Sequence, residues 1–357
     1  MTSSGRPQPQ RRPTLKDVAA RAGVSKSLVS LVMRGAPQVS DRRRAAVQRA
    51  AEELGYQPNA VARSLVQRRT HTVGVLVSDL HNPFVAEVVD GIDARIAELG
   101  YQPLLANGRR EAHREKELLA AFAGFRVEGV ILLAPVVEQA ALRTATAAQP
   151  LVVVSRPDVH VAGVDTVVND EAEGVRLVVD HLVDLGHRSI AHIAGQGSAA
   201  PERQQGYETA MRAHKLQDHI HVVPGSYDEQ GGYEGARALL GGSTRPTAII
   251  VANDMAAMGA LTAIEEAGLR VPEDISVVGY DNTSLAALRN ISLTSVSQPR
   301  QQMGRLAAEM LHDRIEGRRT RARRQVVTPT LVTRRSTGPG PRHSGADPHD
   351  VDAAASK

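Results

Sequence analysis

The chain has 357 residues and a mass of 38.2 kDa, with 42% hydrophobic and 23% charged residues, which fits a soluble protein of two or three domains. It has no cysteine, which excludes disulfides, thiolate metal sites and cysteine nucleophiles, and no apolar run long enough to span a bilayer. The net charge of +4 hides an asymmetry: residues 1–70 hold 14 basic and 4 acidic side chains, and the remainder 29 and 35. A basic head on a mildly acidic body points to a polyanionic partner for the head alone, although a solvated basic tail would carry the same charge. Without tryptophan, and with only three phenylalanines, the core must come from Val, Ala, Leu and Ile.

In chain order, residues 1–13 are polar and basic and read as a disordered tail, with no apolar segment of the secretory kind, so a cytoplasmic protein is expected. Thr14 caps a helix that carries Leu15, Val18 and Ala19 on one face and stops at Gly23. Ser25 caps a second helix bearing Val29 and Val32, broken by Gly35 and Pro37; Ser40 caps a third that runs to Leu54 and ends at Gly55. Three short helices, two of them joined by Ala22, Gly23 and Val24, read as a helix-turn-helix head over 14–58. A linker over 59–71 includes a short amphipathic piece from Ala60 to Val66.

From Thr72 short apolar runs alternate with helical patterns: Val73–Val77 then Phe84–Leu99, Gly129–Leu133 then Glu138–Ala147, Leu151–Val154 then Asp170–Leu185. The alternation continues through Ile190–Ala194, Arg203–Ala213, His221–Val223, Gly231–Leu240, Ala248–Val251, Met255–Ala267 and Ser276–Gly279. Such repetition predicts an α/β body over 72–333, doubly wound in two subdomains with a cleft between them. Residues 334–357 read as a loose tail.

The segment Thr14 to Ser25 reads Thr-Leu-Lys-Asp-Val-Ala-Ala-Arg-Ala-Gly-Val-Ser, followed by Val29-Ser30, Val39-Ser40, Gly55 to Asn59 and Ala62 to Leu65. The body carries Asn82-Pro83-Phe84, Leu185 to Ile190, Ala252-Asn253-Asp254, Val278 to Asp281 and Leu293 to Val296. In this order, over residues 14–333, the chain resembles the LacI/GalR transcriptional regulators. The resemblance implies a homodimeric repressor on a pseudo-palindromic double-stranded operator, with a periplasmic-binding-protein-like body that takes a small-molecule effector, a sugar first and a nucleobase as the alternative. It implies no cofactor, no metal, no membrane partner and a place on the nucleoid. Residues 336–357 hold no Leu or Ile, so the leucine heptad that makes some relatives tetramers is not expected.

The resemblance places Ser25–Met33 in the major groove, with Lys26 and Ser27 at its reading end and Thr14, Ser25 and Ser30 against the DNA; plain capping would equally account for Ser25. Leu31 stands where the family usually has Arg and Arg34 where Asn is common. Leu31 could touch a thymine methyl, or it and Leu28 could pack in the core. Asn59 caps the hinge helix by resemblance, Ala62 allows close pairing, Arg63 meets phosphate and Leu65 wedges the minor groove, where the other reading is a plain linker. In the cleft the resemblance selects Phe84, Arg203, Tyr227, Asn253, Asp281 and Arg300 as ligand contacts, with Asp254 a helix cap and His187 a helix-end cap. No catalytic constellation appears: Gly195 to Ser198 lacks the following Lys of a phosphate loop, and the histidines show no zinc spacing. A periplasmic solute receptor is the competing class, and residues 14–66 count against it.

Overall fold

The computed structural model describes residues 13–33, 35–57 and 69–341, and the chain divides into two compact units between Thr70 and His71. The first unit holds α1 (Leu15–Ala22), α2 (Lys26–Met33) and α3 (Asp41–Leu54). The carboxylate of Asp17 accepts from the Thr14 amide at 2.7 Å and its hydroxyl at 2.8 Å, closing the first turn of α1. Gly23 and Gly55 end α1 and α3 with φ of 64° and 62°, left-handed values that a side chain would resist. Val18, Val29, Val32, Val39, Val47, Ala50 and Ala51 form the small core. Arg44 reaches back to the carbonyls of Ala36 and Val39, tying down the loop before α3.

The second unit is built on two six-stranded sheets. Its elements run β1 (Thr72–Val77), α4 (Pro83–Glu98), β2 (Gln102–Asn107), α5 (Ala112–Gly124), β3 (Val130–Leu133), α6 (Gln139–Thr146), β4 (Leu151–Val154), β5 (Val164–Asn169) and α7 (Glu171–Asp184). They continue β6 (Ile190–Ala194), α8 (Ala200–Ala213), β7 (His221–Pro224), α9 (Glu229–Leu240), β8 (Ala248–Val251), α10 (Asp254–Glu266), β9 (Ser276–Asp281), β10 (Thr294–Ser297), α11 (Arg300–Ile315), β11 (Arg324–Val327) and β12 (Thr330–Val332). The first sheet has the order β11-β5-β4-β3-β1-β2 and the second β12-β10-β9-β8-β6-β7, parallel throughout except for β12 against β10. Strands β3, β4 and β8 are buried along their whole length, as a sheet covered on both faces requires.

The chain passes between the sheets three times: from β5 into α7, from β10 into α11, and from β11 into β12. Helix α11 therefore packs on the first sheet, although it follows the second in sequence. Its Gly304 lies backbone to backbone against α4, where a Cβ would stand 2.2 Å from the Val88 carbonyl oxygen; on α4 a Cβ at Gly91 would stand 2.2 Å from that of Gln301.

Several elements were not expected from the sequence. The edge strands β2, β11 and β12 are exposed or half-buried apart from Val327 and their apolar runs are short, β5 and β10 include buried polar residues, and α11 buries small residues such as Ala307 and Ala308 that give little hydrophobic contrast. The expected loose tail at 334 is corrected as far as Pro341. Ser336 is buried and bonds the Val277 carbonyl at 2.6 Å and the Thr294 amide at 2.8 Å, and Gly340 donates to Leu185 at 2.7 Å. The segment runs along the second sheet and completes its backbone pairing, which no local pattern signals. His187 is not a helix-end cap either. Its ring is buried, with Nδ1 2.9 Å from Thr247 Oγ1 and Nε2 3.0 Å from the Gly338 carbonyl, so it pins this same segment.

Candidate functional site

In the head, Ser25, Lys26 and Ser27 are exposed at the N-terminal end of α2, while Thr14 and Ser30 are half-buried. Ser25 Oγ accepts from the Leu28 amide at 3.2 Å, so it caps the helix. Thr14 spends its hydroxyl proton on Asp17. Leu28 and Leu31 are half-buried and pack against the head core, so Leu31 has a structural task whatever else it touches. Arg34, Asn59, Ala62, Arg63 and Leu65 lie outside the described residues.

In the body a cavity of about 400 Å³ is lined from both sheets. One wall comes from the first-sheet side: Ser78, Phe84, Arg110, Ser155 and Arg156. The facing wall comes from Glu171, Arg203, Tyr227, Asn253, Asp281 and Gln298. The cavity lies beyond the carboxyl ends of the strands, where doubly wound sheets bind ligands.

Each side chain is placed by a local cause. Asn82 caps α4, its side chain accepting from the Phe84 amide at 3.0 Å, and Pro83 opens the helix, which leaves Phe84 at its first turn. Tyr227 lies over Gly195 so closely that a Cβ there would be 2.4 Å from the ring. Arg203 is buried and donates from Nε to Glu171 at 2.9 Å and from Nη1 to the Ala252 carbonyl at 2.7 Å, with Asp281 4.0 Å away. Asp281 takes a hydrogen bond from Gln298 Nε2 at 2.7 Å. Burial pushes its carboxyl up to about 8, with Arg203 opposing and Asp254 adding to the rise. Tyr227 Oη, Ser155 Oγ and Gln298 Oε1 are buried polar atoms without a protein partner, which is the condition of a wall made to meet a polar molecule.

The structure thus brings Phe84, Arg203, Tyr227, Asn253 and Asp281 together, but not Arg300. That guanidinium sits behind the wall, on Glu87 at 2.6 Å and on the carbonyls of Asp281 and Gln298. The helix cap expected of Asp254 falls to its neighbour Asn253. Asn253 is the helix cap, accepting from the Ala256 amide at 2.9 Å while lining the cavity. Asp254 is buried beneath it, taking hydrogen bonds from Thr283 Oγ1 and Ser295 Oγ at 2.9 and 2.6 Å, and burial pushes it up to about 6.

Sequence reasoning missed Glu171, Gln298, Tyr280, Arg156 and Glu115. Glu171 and Tyr280 hold Arg203, and Glu115 accepts from the Val136 and Val137 amides at 2.8 and 2.7 Å and so shapes the loop above the cavity. Gln298, directly before Pro299 in a polar segment, offered the nearest thing to a signal.

Among the described residues no cluster of metal-ligating side chains occurs and no helix is long and apolar enough to cross a membrane. Residues 14–59 match the bacterial regulatory proteins of the lacI family, and residues 179–337 match a periplasmic binding protein-like domain. The HTH-type transcriptional repressor PurR of Pectobacterium carotovorum is 35% identical over 333 residues, covering 92% of this chain and 98% of that protein. A transcriptional regulator CelR–cellobiose complex is similar at 37% identity with a TM-score of 0.69, covering 91% of this chain and 100% of that one. The lac repressor dimer bound to operator and the anti-inducer ONPF is similar at 31% identity with a TM-score of 0.83, covering 92% and 100%.

Proposed function

This chain belongs to the LacI family of bacterial regulatory proteins, and from that premise we propose that its operator affinity is set by a neutral polyhydroxy molecule, a sugar, held in the body cavity. It is a DNA-binding transcriptional regulator and not an enzyme, and its relatives act as repressors and dimers. The proposed ligand contacts are Phe84, Arg203, Tyr227, Asn253 and Asp281, joined by Gln298. The proposed DNA contacts are Ser25, Lys26, Ser27 and Ser30 in α2, with Thr14, Leu31, Arg34 and the segment Asn59, Ala62, Arg63 and Leu65. Two heads on a dimer suit two half-sites related by a two-fold axis. The proposed place of action is the nucleoid.

The observation that carries the ligand class is the balance of charge in the cavity. Arg110 faces Asp79 at 3.3 Å, Arg156 faces Asp158 at 3.1 Å and two carbonyls, and Arg203 faces Glu171. Each guanidinium there already faces a carboxylate, so the cavity carries no excess positive charge to call for an anion, and the unpartnered hydroxyl and amide groups pair with sugar hydroxyls. The CelR relative is a cellobiose complex. A planar purine base is the second reading, favoured by the Phe84 ring on the cavity wall and the PurR relative.

The test is a thermal-shift screen of the full chain with cellobiose, ribose, other neutral sugars, adenine and guanine, repeated with Asp281→Ala and Arg203→Ala. A sugar that raises the melting temperature of the wild type and of neither variant supports the reading. A shift that both variants retain moves the ligand to another place, and a shift by a purine alone selects the second reading.

A further inference from the structure

The turn that carries Asp281 is strained: Asp281 has φ of 98° and Asn282 φ of 50°, two consecutive non-glycine residues in left-handed backbone. Such residues persist only where the surroundings over-determine them. Here every position of the turn is held by a separate side chain. The Asp281 carbonyl oxygen accepts from Arg300. Asn282 donates its amide to Ser295 Oγ at 2.9 Å, and its side-chain oxygen accepts from Arg334 at 2.6 Å. Thr283 donates its amide to Asp254 at 2.6 Å, and Ser284 donates its amide to Glu87 at 3.2 Å.

All of these holders but two come from the second sheet and the segment that completes it. The exceptions are Arg300, at the start of α11, and Glu87, on α4 of the first sheet. They also bind one another, Arg300 Nε to Glu87 Oε2 at 2.6 Å, with side chains only 14% and 26% exposed. The two helices that carry them are locked together at Gly91 and Gly304, where backbone meets backbone. Glu87 lies one helical turn from Phe84, which faces Asp281 across the cavity.

We infer that Glu87 and Arg300 are positioning residues that tie the Asp281–Ser284 turn to α4, so that the orientation of the two sheets is read out at the carboxylate facing the cavity. This rests on the cavity being the effector site for its consequence, but not for its test. A rotation of the first sheet moves Glu87, and with it both the Ser284 amide and the guanidinium that holds the Asp281 carbonyl. A ligand that fixes Asp281 then favours one sheet orientation over another, which is the differential interaction any ligand-driven shift requires.

The experiment needs no effector. Hydrogen exchange of the full chain is compared for wild type, Glu87→Gln, Arg300→Gln and the control Glu98→Gln, which breaks a surface pair on the same two helices, Glu98 with Arg305 at 3.0 Å. Both Glu87→Gln and Arg300→Gln should speed exchange of the 282–288 amides at least about tenfold while β1, β3 and β4 keep wild-type protection. Glu98→Gln should leave 282–288 unchanged. A merely structural role would instead raise exchange across the first sheet as a whole, and that result, or unchanged exchange at 282–288 in Glu87→Gln, overturns the inference. If either variant fails to fold, the other decides by the same comparison; loss of folding in both assigns the pair to stability and overturns it as well. Failure of every ligand in the thermal-shift screen would leave this result standing, so the two readings fail separately.

Discussion

Arg203 lies against the face of Tyr280, its guanidinium carbon 3.7 Å from the ring centroid, and both side chains converge on the carboxylate of Glu171. Arg203 Nε donates to it at 2.9 Å and Tyr280 Oη at 2.8 Å. Asn169, the last residue of β5, donates to the same tyrosine oxygen at 2.9 Å. The first crossing between the sheets is thus bonded directly to the arginine wall of the cavity. Gly174 on α7 makes room for it, since a Cβ there would stand 2.2 Å from Tyr280 Oη.

Removing one charge from this pair should be costly. Glu171 and Arg203 are 3% and 7% exposed, so Glu171→Gln strands a buried guanidinium, which costs about 3–5 kcal/mol. Urea unfolding should show a loss near the low end, about 3 kcal/mol, because the Ala252 carbonyl and the Tyr280 ring remain. A loss under about 1 kcal/mol would mean that those two groups suffice to hold the arginine.

Stability should depend on pH through Asp281. Its folded value of about 8 lies above the ordinary 3.8, so between them the folded chain keeps a proton that the unfolded chain has released. The stabilisation is complete below the unfolded value and is lost as pH rises through about 8. Asp254, at about 6, acts with the same sign over a lower window. Asp281→Asn mimics the protonated form, so its stability relative to wild type should rise from pH 5 to about pH 8 and level off above that. A difference independent of pH would show that Asp281 is already ionised in the folded chain.

The α4–α11 clamp can be tested by one glycine substitution inside it and one outside it. Gly91→Ala forces a methyl to 2.2 Å from the Gln301 carbonyl oxygen and should cost about 1–3 kcal/mol. Gly124→Ala, at the exposed end of α5 with nothing within 4 Å, should be neutral or stabilising by up to about 1 kcal/mol. Denaturant midpoints decide it, and equal effects at the two sites would contradict the close helix contact.

For the head, Lys26→Ala should weaken operator binding at least about tenfold, because this exposed cation opens the helix that would enter the groove. Leu65→Ala, chosen on the sequence alone, should lower specific binding more than non-specific binding. Gel-shift titrations on operator and on random DNA at two salt concentrations measure both. Equal loss on both DNAs for Leu65→Ala would assign that segment to a linker, and wild-type affinity for Lys26→Ala would take that lysine off the DNA.

The sequence by itself determined what depends on near neighbours. Helix ends at Gly23 and Gly55 follow from left-handed backbone, the cap at Ser25 from a bond three residues away, and β3, β4 and β8 from short runs of branched side chains. Phe84, Arg203, Tyr227, Asn253 and Asp281, selected by the motif order, line one cavity in the fold. What only the tertiary structure decided are relationships between residues far apart in the chain. Glu171 meets Tyr280 across 109 positions, Arg300 meets Glu87 across 213, and His187 meets Gly338 across 151. Neither Glu171 nor Arg300 carries a local mark of its task, because a charge on an amphipathic helix reads as solvated until another element closes over it. The physical reason is the triple crossing between the sheets. It returns α11 to the first sheet and the segment around Ser336 to the second, and so decides which charges are buried, which partners they meet, and that Arg300 braces the cavity from behind.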